Sequence, residues 1–190
     1  MAMATLRFLN VPINLLVHRE EGDIALHYFE HRGGSSPFRI IDPAEELGGM
    51  LAMMAVLKKG EVLCTMGDRV FGSSRNTVAV CFLGADIRVP FSAFKIASAT
   101  GSPIAVMFSV RQASGRYELM LDRVIRVPAD LGRSGAEFAC YAGEFVQGME
   151  AYVKDHPFQF FNFFDMWERD DLSGTEPRTS SLEKTEGKRR

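Results

Sequence analysis

The sequence predicts an α/β domain with a mostly parallel central sheet flanked by helices. Two apolar runs, INLLVH at 13–18 and PIAVMFSV at 103–110, have the composition of strands buried on both faces. Helix signals fall between strand signals, the alternation that a sheet covered by helices requires. A long stretch, 136–153, carries Phe138, Tyr141, Phe145, Met149 and Tyr152 at spacings of three or four, one apolar face to lay on that sheet.

The elements follow in order. After the strand at 13–18 the polar HREEGD reads as a loop, Asp23 to His31 as a short helix ended by Gly33 and Gly34, and Phe38 to Ile41 as a strand. Asp42, Pro43 and Glu45 then stand as N-cap, first helical residue and capping-box carboxylate. That helix runs to about Lys59, where Gly60 supplies a left-handed exit. Glu61 to Met66 is a strand, Gly67 to Asn76 a polar loop, and Thr77 to Leu83 another strand. Ser92 to Thr100 is a helix closed by Gly101. Tyr117 to Val127 alternates like an outer strand beyond a turn at Ser114-Gly115.

With 190 residues, 46% of them hydrophobic and 24% charged, the chain can bury a core, and wholly disordered or coiled-coil readings fail. Residues 1–168 read as one domain. Residues 169–190 hold two leucines among polar and charged side chains and read as a disordered tail. A net charge of -2 lacks the basic excess of a dedicated nucleic-acid binder. No run approaches the roughly 18 apolar residues of a spanning helix, and Arg7, Asn10 and Pro12 interrupt the N-terminus as a signal peptide. Cys64, Cys81 and Cys140 lie far apart in stretches that read as buried strand or helix. That pattern argues against a disulfide framework or zinc site and fits a reducing compartment.

Chemistry is expected after Met66. Gly67, Asp68 and Arg69 follow a strand taken as central, and ligands of open α/β sheets gather outside the carboxyl ends of strands. Arg69 suits a phosphate or carboxylate through its planar fork of donors, with Asp68 orienting it or binding a hydroxyl. A structural ion pair within the turn is the plainer alternative. Arg75, in the same loop, either adds to a cationic rim or is a solvated side chain. Phe158, Phe160, Phe161, Phe163, Phe164 and Trp167 follow His156-Pro157. They read as a last core layer or, alternatively, as an acyl-binding wall or membrane-facing patch.

The succession KKGEVLCTMGDR, VAVCFLGADIRVP, KIASATGSPIAVMFSVR, GRYELML and HPFQFFNFFDMW, over roughly residues 10–168, resembles the C-terminal half of the lipid A biosynthesis (lauroyl/myristoyl) acyltransferase family, within the lysophospholipid acyltransferase superfamily. The resemblance implies an incomplete acyltransferase-like fold lacking its N-terminal strand and catalytic helix. Gly67, Asp68 and Arg69 fall where that family lines its acceptor pocket. It also implies transfer of a fatty acyl chain from an acyl carrier protein thioester, or another acyl thioester donor, to a lipid A precursor. No cofactor, metal or nucleic acid is implied. The setting is cytoplasmic, peripheral at the inner face of the membrane.

Family members use a His-x4-Asp/Glu motif in which imidazole takes the acceptor hydroxyl's proton and the carboxylate fixes its tautomer. By register that motif precedes the strand at 11–17, so the expectation is a chain inactive alone, completed by an upstream polypeptide that carries the motif. The alternative is a non-catalytic lipid- or partner-binding scaffold. His18 and Asp23 satisfy the spacing as a string, a weaker candidate dyad that the register argues against. His27, His31 and His156 have no partners at persuasive spacing.

Overall fold

The computed structural model describes residues 9–17, 38–43, 49–70, 74–163 and 165–167. Seven strands and three helices occur among them. They are β1 (Ile13–Leu16), β2 (Phe38–Ile41), α1 (Met50–Lys58), β3 (Val62–Cys64), β4 (Thr77–Phe82), β5 (Ala85–Pro90), α2 (Ser92–Thr100), β6 (Ile104–Arg111), β7 (Tyr117–Ile125) and α3 (Gly135–Asp155).

The α/β mixture is as expected, but the sheet is not mostly parallel. Only β1, β2 and β3 pair in parallel, in the order β2-β1-β3, so β1 is central and β3 lies at an edge of the described sheet. The rest is two antiparallel hairpins, β4-β5 and β6-β7. Their connections explain the difference, since a parallel pair needs a crossover of a dozen or more residues. Between β4 and β5 there are two residues, Leu83 and Gly84, at φ 51° and 88°, the two left-handed positions of a type I′ turn. Between β6 and β7 the chain turns at Gln112–Arg116, as the Ser114-Gly115 signal anticipated. The apolar strand β6 is covered on one face alone, with Val106 and Val110 buried and Met107 exposed.

Among the described residues the first helix begins at Met50. Gly49, at φ 65°, precedes Met50, so the helical path does not run through it from Pro43. A Cβ there would fall 3.0 Å from the Asp42 carbonyl oxygen, so both backbone conformation and space require glycine. Residues 44–48, which include Glu45, and the expected helix at 23–31 lie outside the described residues.

The main core lies between the hairpins and α3. Val78, Phe82, Ile87 and Val89 come from β4-β5, Val106 and Ile125 from β6-β7, and Phe138, Ala142, Val146 and Met149 from α3. The residues from α3 recur at three and four, which is the helical stripe the sequence proposed, with Tyr141, Phe145 and Tyr152 half-buried at its margins. Ser134 caps α3 in a full capping box, the Glu137 carboxylate accepting from the Ser134 N–H at 3.0 Å. The parallel sheet packs differently on each face. Ile41 meets Met53 of α1 and Ile96 of α2, while Ile13, Leu15 and Phe38 meet Leu119 of β7. Since Phe94 and Ala97 of α2 enter the main core, that helix wedges the two parts together.

Candidate functional site

The strand order 2-1-3 creates a switch point. The chain steps from β1 to β2 on one side, then crosses to β3 on the other, and the crevice for ligands in such sheets lies outside the carboxyl ends of the two strands flanking the reversal. Those strands are β1 and β3. The segment that leaves β3 is Thr65–Val70, so the Gly67-Asp68-Arg69 turn follows the carboxyl end of β3, an edge strand of the described sheet. Asp42 leaves β2 at the same end.

The turn is fixed from beneath. A Cβ on Gly67 would lie 3.0 Å from the Phe145 ring of α3, closer than ordinary packing, so the absence of a side chain lets the backbone settle on that ring. Asp68 and Arg69 are half-buried, between the exposed side chains of Met66 and Val70. Arg69 and Arg75 are each engaged in an interaction within the chain. Burial pushes the Cys64 thiol up, which keeps it protonated and unsuited to nucleophilic attack at neutral pH.

A polar row at the amino ends of the strands holds the sheet in register. Asn14, almost fully buried, donates through Nδ2 to the Glu61 carboxylate at 3.0 Å and to the Val62 carbonyl at 3.1 Å. Arg39 on β2 reaches Glu61 at 3.2 Å, so three strands are tied by one carboxylate. A slip of β3 would break these bonds, and with them the placement of the turn at its far end. Nothing local in the sequence marks this row, whose partners lie 47 and 22 residues apart.

The sequence pattern described as bacterial lipid A biosynthesis acyltransferase matches residues 26–169. The chain belongs to that family. No curated protein matches it.

Family membership brings an acyl donor and a lipid acceptor in general terms, and the remaining candidate residues can be set against that. His18 and Asp23 fall ahead of the matched stretch and, like His27 and His31, outside the described residues. His156 follows α3, its ring centroid 5.2 Å from that of Tyr152. Tyr152 in turn donates to the Ser109 carbonyl at 2.9 Å and stacks on Phe108. Arg75 is exposed on a short 3-10 turn, Ser74–Asn76, and residues 71–73, which join it to the Asp68-Arg69 turn, lie outside the described residues. The cysteines are free thiols, and Cys81 and Cys140 are exposed, contrary to the expected burial, because they occupy the outer faces of β4 and α3.

The aromatic segment is buried in part and exposed in part. Phe160 and Trp167 pack against the fully buried Phe82, each with ring centroids 5.9 Å away, and Met166 is buried beside them. Phe158, Phe161 and Phe163 are 93%, 70% and 88% exposed. Phe164 lies outside the described residues. No helix among the described residues is long and apolar enough to cross a membrane.

Proposed function

We propose that this domain supplies the acceptor-binding half of an acyl-transfer site that moves a fatty acyl chain from an acyl carrier protein thioester to a hydroxyl of a lipid A precursor, at the inner face of the cytoplasmic membrane. The observation that supports this reading is that Asp68 and Arg69 follow the carboxyl end of β3, next to the central strand of the described parallel sheet, in a chain of the lipid A acyltransferase family. Arg69 grips a phosphate of the acceptor through two parallel N–H bonds, and Asp68 accepts a hydrogen bond from the sugar. Arg75 extends the cationic rim.

In the transfer step the acceptor oxygen attacks the thioester carbonyl carbon, its proton passes to an imidazole, and the C–S bond breaks as the carrier thiolate leaves. The imidazole belongs to a His-x4-Asp/Glu segment standing ahead of β1. In this reading none of Gly67, Asp68 and Arg69 serves as the base. The domain alone then binds acceptor without turning it over. In this reading residues 1–168 form the working domain, and residues 169–190, expected as a tail, lie outside the described residues.

The test is complementation. Mixed with a polypeptide carrying the motif, the domain should transfer acyl chains from a thioester donor to a phosphorylated glucosamine lipid, and Arg69→Ala should lower that rate about 10- to 100-fold, the worth of one charge-assisted bond. No transfer with any donor would remove the split site. Transfer indifferent to Arg69 would leave the domain as a non-catalytic scaffold.

A further inference from the structure

Resting on the reading of Asp68 and Arg69 as acceptor-binding residues, we propose that Phe145 of α3 is a positioning residue for that site. The tip of its ring sets the height of the turn, and through it the angle at which the Arg69 guanidinium meets an acceptor phosphate. Phe145 itself touches no substrate.

The glycine at this contact is required by space. Gly60, Gly84, Gly101 and Gly115 stand at positive φ, and a Cβ added to any of them would meet open space among the described residues. Their backbone conformation explains them. Gly67 is the reverse case. Its φ lies outside the left-handed region, yet a Cβ would fall 3.0 Å from Cζ of Phe145 and 3.3 and 3.4 Å from the two Cε atoms. All three atoms belong to the far end of one ring, so the backbone rests on that tip one residue before Asp68 and two before Arg69.

The ring is a fixed surface. Ala142, Val146 and Met149, on the turns of α3 around Phe145, are buried in the main core, and Phe145 packs against the same cluster. The turn has weaker anchors of its own. Met66 and Val70 at its two ends are exposed, and β3, which leads into it, is three half-buried residues at an edge of the described sheet. A turn that shifts carries Arg69 with it. A bidentate guanidinium-phosphate pair depends on angle as well as distance, and binding groups must be held within about 0.5 Å of their productive geometry.

Calorimetric titration of the full chain with a detergent-dispersed phosphorylated glucosamine lipid tests this. Phe145→Leu, which removes the ring tip, should weaken binding about threefold to tenfold. Its circular dichroism spectrum should be unchanged, with faster amide exchange confined to residues 66–70. Gly67→Ala, which lifts the turn off the ring, should weaken binding to a similar extent. In the double variant the new methyl group fills the space the ring tip left, so affinity should return to within about twofold of the wild type. Phe145→Leu should cost nothing further in an Arg69→Ala background, because Phe145 acts through Arg69. A contribution to stability alone would not depend on Arg69.

The proposal is overturned if Phe145→Leu or Gly67→Ala binds like the wild type, if the double variant binds no better than either single one, or if the loss at Phe145 adds in full to that at Arg69. Were Phe145→Leu to unfold, Gly67→Ala decides in the same way. Each of these results leaves the loss at Arg69 standing. Equal binding by the wild type and Arg69→Ala would instead overturn the acceptor reading, and this proposal with it.

Discussion

The parallel sheet and the hairpin half are built on opposite principles. Among the described residues, fifteen buried residues from β4 to Met166 form one continuous core, whereas the clusters on the two faces of the parallel sheet hold three buried residues each, two of those on the α1 side coming from the helices. The hairpins close through connections of two and five residues, but β1 must find β3 across nearly fifty. Loop closure is dearer for the sheet and burial repays less of it. The candidate acceptor site nevertheless stands on the sheet, steadied through Gly67 by a helix of the stronger half. A thin, polar-locked sheet leaning on a well-packed scaffold can adjust at its carboxyl end without risk to the fold.

This contrast breaks most sharply at Phe138, fully buried and stacked on Phe91 at 5.5 Å. Phe138→Ala should cost about 3–5 kcal/mol in chemical denaturation and unfold both halves together. A loss confined to the hairpins would mean that the sheet stands alone. Asn14→Ala should cost about 1–3 kcal/mol, because it removes both hydrogen bonds that the Asn14 amide gives to half-buried acceptors on Glu61 and Val62. Hydrogen exchange should then quicken in β1 to β3 and stay unchanged in β4 to β7.

The smallest effect belongs to Glu150. Its hydrogen bond from Lys154, and then one from the Leu83 N–H, lower its carboxyl below the ordinary value. A carboxylate whose folded pKa is depressed contributes stability that is present above the unfolded value and is lost as pH falls through the folded one. Thermal melts of the wild type should therefore lose a small increment on the acid side of pH 4.5 that Glu150→Gln lacks.

What was legible in the sequence followed the range of the signal. Strands β2, β4, β6 and β7, the helix α3 and the exits at Gly60 and Gly101 all carry their cause within a few residues. The β4-β5 hairpin did not, since Leu at a left-handed position lacks the Asn-Gly signature and is held by Glu150, 67 residues away. Nor did the division of the aromatic segment, whose inward and outward residues follow neither a strand nor a helix period. The Gly67-Asp68-Arg69 turn is singled out in the sequence by its place after a strand taken as central. Its real setting, an edge strand beside a switch point, needed the strand order.

The central claim is that the Asp68-Arg69 turn binds a phosphorylated lipid acceptor, and calorimetric titration of a detergent-dispersed phosphorylated glucosamine lipid tests it most directly. The account predicts saturable binding by the wild type, weakened about tenfold or more by Arg69→Ala and only partly restored by Arg69→Lys, which keeps the charge but not the planar fork. Equal affinity in all three proteins would contradict it.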